Sequence, residues 1–171
     1  MKISDLLLAV PGELPRLAEN ENPFVNPEAL VGAQITRILV DVLGGRAGVL
    51  LELRQSSRLR GNTALLRVSA VRQQNWTCTS TANEFTAWSI MHASTRQYED
   101  EFRVSVDCMP VGALRVVGAS ADFTLLDATA LDITPPDYRS DPRALIRFGV
   151  ADESTEATPI GVAYSTGGRD R

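Results

Sequence analysis

The sequence predicts an α+β fold: a predominantly antiparallel, twisted sheet of about six to eight strands, with short N-terminal helices and one C-terminal helix. Three observations predict it. From Gln34 onward apolar residues recur at every second position. The connections among the first three apolar runs are too short for parallel crossovers, so those strands form an antiparallel meander. Helix start and stop signals are confined to the first 33 residues and to the stretch after the proline-punctuated loop DITPPDYRSDP.

Residues 1–33 read as a helical arm packed on a single β-rich domain spanning 34–165, with 166–171 a flexible tail. Ser4 is placed to cap a helix running to Val10, ended by Pro11 and Gly12, and an apolar turn follows at Leu14–Ala18. Asn26, Pro27 and Glu28 then supply an N-cap, a first-turn proline and a first-turn acid, with Gly32 as the stop. QITRILVDVL, apolar on both faces, reads as an interior strand, and Gly44-Gly45-Arg46 as a tight turn. Ala47, Val49, Leu51 and Leu53 share one face of the next strand; Ala64, Leu66, Val68 and Ala70 share one of the third.

The stretch from Phe85 to Ala93 alternates weakly, with Thr86, Trp88, Ile90 and His92 on one side and Ser89 on the other; Thr79–Glu84 reads as a loop. FRVSVDC alternates cleanly and buries Cys108, and ALRVVGASADFTLL is a long strand with a bulge or kink at Gly118. Asp141 and Pro142 open the last helix, whose apolar side would hold Ala144, Leu145 and Phe148, and TPIGVAY adds an edge strand. The expected core contains Ile38, Val40, Leu51, Leu53, Leu66, Val68, Val104, Val106, Val116 and Phe148.

Composition narrows the function classes. With 44% hydrophobic and 22% charged residues in 171, the chain has the balance of a soluble domain. It offers neither an 18-residue apolar span nor a well-formed leader, so a cytoplasmic location and no membrane partner are expected. A net charge of −4 argues against nucleic acid. Cys78 and Cys108 form no CxxC pair, so both are expected to be small buried thiols, and Asn75-Trp76-Thr77 is read as a chance glycosylation match.

Catalysis lacks its parts. His92 is the single histidine; a serine mechanism would need a nucleophile such as Ser89 or Ser94, an orienting acid and an oxyanion hole, and no GxSxG elbow is present. Asp127, Asp132, Asp137 and Asp141 lack the DxDxDG spacing of a calcium loop, so no metal and no cofactor are expected.

Two surface features remain. Tyr98, Glu99, Asp100 and Glu101, with Glu84 and Trp88, form an acidic aromatic set suited to docking a basic protein. This makes a non-catalytic binding protein the leading expectation, for example an immunity-type protein that neutralises a toxin by occlusion. The alternative is a small-ligand or anion-binding domain using the arginine-rich loop 54–60, through Arg54, Arg58 and Arg60, extended by Arg67 and Arg72. The oligomeric state is left open.

Overall fold

A computed structural model of the chain describes residues 1–9, 12–79 and 84–165. Its centre is one antiparallel sheet of nine strands. They are β1 (Gln34–Asp41), β2 (Arg46–Glu52), β3 (Thr63–Ser69), β4 (Gln73–Cys78), β5 (Trp88–Tyr98), β6 (Glu101–Met109), β7 (Gly112–Gly118), β8 (Ser120–Ala128) and β9 (Ala157–Tyr164). Their order is β4-β7-β6-β5-β1-β2-β3-β8-β9, so β1 lies at the centre, as its two apolar faces implied.

The extra strand has a physical origin. The run expected as one bent strand breaks at Ala119, and its halves join different neighbours: β7 pairs with β6 and β4, β8 with β3 and β9. The break occurs where the chain crosses against β3. A Cβ on Gly118 would lie 2.5 Å from Val68 Cγ1 and 2.6 Å from the Ser69 carbonyl oxygen, so only glycine allows the approach. Ala119 N–H then donates to that same carbonyl at 2.8 Å.

The sheet coils so that β3 meets β7 and β6 meets β8. Between the two halves lies the main core, including Leu51, Leu66, Val68, Phe102, Val104, Val106, Val116 and Phe123. On the opposite side of β2 and β3, Leu50 and Leu65 pack with Ile3 and Leu6 from helix α1 (Ile3–Leu8). The middle of the sheet is therefore buried on both faces, and its strands read as continuous apolar runs.

Several local expectations need correction. The N-terminal segment holds one α-helix and two short 3-10 turns, at Glu19–Glu21 and Pro27–Leu30, in place of a series of helices. The turn expected at Leu14–Ala18 is extended: Pro15 disfavours a helical backbone at Leu14, and the segment pairs with β9 instead. Leu17 N–H donates to the Val162 carbonyl at 3.0 Å and Val162 N–H to the Pro15 carbonyl at 2.9 Å, so this piece seals the outer edge of β9.

The register of β5 against β6 slips between Ile90 and His92. Met91 is the extra residue of a β-bulge, so the alternation inverts: Ile90 and Ala93 are both buried, and Met91 and His92 are both exposed. A second slip in β1, between Ile35 and Arg37, does the same at Thr36. Val40 shares a side with Ala47 but stands near the hairpin end, 54% exposed. The last helix, α2 (Arg143–Phe148), has only six residues and rests on the sheet through Ile146, which leaves Phe148 76% exposed. Residues 80–83 of the expected loop, Val10 and Pro11 at the expected helix end, and the tail 166–171 lie outside the described residues.

Candidate functional site

The arginines of the 54–60 loop do not converge. Arg54 turns back into the protein and grips Glu52 with two hydrogen bonds, Nε to Oε1 at 2.8 Å and Nη2 to Oε2 at 2.6 Å. Arg60 holds Glu21 in the same two-point fashion, Arg58 faces Glu28 at 3.6 Å, and Arg67 is bound to Asp122. Each guanidinium meets a carboxylate of its own chain, and these contacts tie the N-terminal segment and β8 to the meander. Glu21, Glu28, Glu52 and Asp122 are separated from their arginines in sequence or masked by strand alternation, so the basic cluster reads as an open anion site until the fold is known.

The acidic aromatic set is divided between the two ends of β5. Trp88 opens that strand and Tyr98 closes it, ten residue steps or about 30 Å apart. At the far end Glu99, Asp100 and Glu101 form the turn into β6, beside an exposed Tyr98. Arg72 lies 3.5 Å from Asp100 and 3.4 Å from Glu101, and Arg103 bonds Glu101 at 2.5 Å. At the near end Trp88 faces inward, its ring edge-on to Trp76 with centroids 5.2 Å apart. The pair is stacked over Gly112, where a Cβ would come within 2.9 Å of the Trp88 ring. Glu84 is exposed beside it.

His92 is exposed next to the bulge and opposite Asp107 in the ladder, with no hydrogen bond from its ring among the described residues. Also among the described residues, no three His, Cys, Asp or Glu side chains are placed to hold a metal ion. Of the two cysteines only Cys108 is buried; Cys78 is exposed on β4, which lies at the edge of the sheet. Burial, followed by the Asp107 carboxylate, pushes the Cys108 thiol up to about 11. One equivalent of a thiol reagent such as DTNB is therefore expected to react quickly near pH 8 and the second only on unfolding. Two equally fast equivalents would contradict this burial.

A different group of side chains does converge. The segment 84–88 and the stretch from Tyr138 to Val150, which contains α2, face each other across a groove with two adjoining cavities of about 230 and 670 Å³. Their shared wall is Glu84, Phe85, Thr86, Tyr138 and Ile146. Arg37 and Arg147 line the first cavity, with Ile35 and Trp88; Arg139 and Arg143 line the second. Arg143, Ile146 and Arg147 are spaced three and four residues apart, which puts them along one side of the helix. Arg143 lies over the Phe85 ring at 5.2 Å.

Local structure holds these groups in place. Arg54 Nη1 donates to the Asp132 carbonyl at 2.6 Å and Nη2 to the Gly149 carbonyl at 2.5 Å, pinning both ends of the α2 region to β2. Asp137 accepts the Arg139 N–H at 2.8 Å and the Ser140 hydroxyl at 2.7 Å, while its own N–H goes to Asp141. Those bonds, the Arg139 N–H first, hold the Asp137 carboxyl below its ordinary range. Burial, then the Glu52 carboxylate, pushes the Tyr138 hydroxyl above the usual tyrosine range, so it remains a donor at neutral pH.

The groove combines acids, Glu84 and Asp141, with several arginines whose carboxylate contacts are long or absent. Arginines 46, 54, 58, 60, 67, 72, 103 and 115 each have a carboxylate within 4.0 Å. Arg139 and Arg147 have none among the described residues, as is also true of Arg16 and Arg96 outside the groove, and Arg139 feels the Asp137 carboxylate from a longer distance. Arg37 reaches Glu153 only at 3.7 Å, and its buried Nε has no hydrogen-bond acceptor. The spacing 139, 143, 147 was the signal in the sequence, obscured because it begins in a loop and ends in a helix too short to show a period. No family model matches the chain, and no curated protein matches it in sequence.

Proposed function

We propose that this chain is a binding domain whose groove between 84–88 and α2 receives the anionic group of a small ligand, a carboxylate or a phosphate. The observation that carries the reading is that Arg139 and Arg147, with no carboxylate within 4.0 Å among the described residues, line the same groove as Arg37, whose Nε has no hydrogen-bond partner among those residues. Guanidinium donors at a partly enclosed apolar wall are suited to an acceptor that brings negative charge, because each such hydrogen bond is charge-assisted. Phe85, Trp88, Tyr138 and Ile146 supply a surface for the ligand's apolar body. The protein-docking surface draws less support, since Glu99, Asp100 and Glu101 are about 30 Å from Trp88, and Asp100 and Glu101 are offset by Arg72 and Arg103.

The test compares phenyl phosphate and benzoate with their neutral counterparts, phenol and benzyl alcohol, by thermal shift. An anionic probe at a hundred times its dissociation constant is expected to add about 2.7 kcal/mol. The variant R139Q/R147Q should fold like the parent, because both side chains are exposed and neither has a carboxylate within 4.0 Å among the described residues, and should lose that gain. Equal responses in parent and variant, or no preference for the anions, would sink the reading.

A further inference from the structure

The two borders of the sheet are finished differently. The outer edge of β9 is covered by the N-terminal segment, through the Leu17 and Pro15 bonds to Val162 and the Ala157 N–H to the Met1 carbonyl at 2.8 Å. On β4 nothing among the described residues pairs with the outer side. Thr79 N–H donates to the Val111 carbonyl at 3.0 Å. By alternation Gln73, Asn75 and Thr77 turn their backbone groups toward β7, and those of Gln74, Trp76 and Cys78 point outward. Exposed edges are ordinarily blunted by charge, proline or a bulge. QQNWTC has no charge and no proline, and its register against β7 is unbroken.

We infer that β4 pairs with β4 of a second copy of this chain, antiparallel about a two-fold axis at Trp76, extending the sheet across a homodimer. The register follows from the parity of the outward groups. Centring on Trp76 sets Trp76 against its own copy and Gln74 against Cys78, which uses all three outward-facing residues of each strand in about six hydrogen bonds. The same register places Asn75 opposite Thr77, both exposed and uncharged. A second copy therefore meets no like charge along this strand, whereas a charged strand of another protein would find no countercharge on β4. Trp76, half-buried in the core rim, would have its remaining surface covered at the axis.

Light scattering on the full chain at the highest soluble concentration tests this, with a mass of twice 18.6 kDa as the expected result. The N75E/T77E variant sets glutamate opposite glutamate at two places across the axis, while within the chain residue 75 faces Arg115 and residue 77 faces Ala113, so the monomer gains no like-charge pair. It should weaken association about tenfold or more. Register is read separately: Gln74→Cys, facing the native Cys78 of the other copy, should give a disulfide-linked dimer on mild oxidation, and adding Cys78→Ser should remove it. A parent that runs as one chain at every concentration overturns the proposal. So does a dimer that N75E/T77E leaves unchanged.

Discussion

An Arg54→Met chain is expected to be about 3–5 kcal/mol less stable than the parent in urea unfolding at neutral pH. The size follows from burial. The Arg54 and Glu52 side chains are 6% and 1% exposed and are joined by two short hydrogen bonds. Removing the guanidinium leaves a carboxylate inside the protein with no countercharge, and it also frees the Asp132 and Gly149 carbonyls. Lysine should not rescue, since a single ammonium cannot reproduce the planar fork that serves Glu52 and two carbonyls together. The double variant E52L/R54M should recover much of the loss, because no lone charge remains buried. A deficit below about 1 kcal/mol for Arg54→Met would mean that Glu52 finds water or another donor. If the groove is the proposed anion site, Arg54→Met should also weaken the response to phenyl phosphate even though Arg54 does not line it, because Arg54 fastens the α2 region.

This staple shows where sequence reasoning succeeded and where it stopped. Strand alternation predicted the antiparallel meander, the central place of β1 and most of the core, since each depends on periodicity over six or more residues. Leu51, Leu66, Val104, Val106 and Val116 are buried accordingly. The failures lie where one residue resets the pattern. Met91 and Thr36 each add a step to a strand, and nothing in their side chains announces a bulge. Ile146 rather than Leu145 or Phe148 faces the sheet, because six residues of helix do not define a face.

The arginines show the same limit in electrostatic form. A basic run such as RQSSRLRGN has the same appearance whether its charges meet ligands or internal acids. The partners that decide it, Glu21, Glu28, Glu52 and Asp122, are assigned only by the tertiary fold. Once those pairs are formed, Arg139 and Arg147 are among the arginines with no carboxylate within 4.0 Å among the described residues, which the charge pattern of the sequence alone does not reveal.

Arg67→Met is expected to produce a loss of comparable size, about 3–5 kcal/mol at neutral pH, but one that responds to acid. Arg67 and Asp122 face each other across the β3–β8 ladder, with Nε 2.9 Å from Oδ2 and side chains 11% and 8% exposed. Burial already lifts the Asp122 carboxyl above its ordinary range, against the opposing pull of Arg67. A carboxyl raised in this way holds its proton more tightly in the folded chain. Its contribution is full below the unfolded value of about 3.9 and is lost as pH rises through the folded value. Taking Arg67 away removes what holds the folded value down, so Asp122 takes up its proton at higher pH in the variant than in the parent. The gap in unfolding free energy should therefore narrow as pH falls from about 7.5 to about 5. An Arg67→Met/Asp122→Asn chain, with no carboxylate to strand, should show no such narrowing. A gap that stays constant across this range in the single variant would mean that the carboxylate remains solvated, and that the cost comes from the Arg67 Nη1 contacts to the Leu6 and Leu7 carbonyls at 3.4 and 3.5 Å.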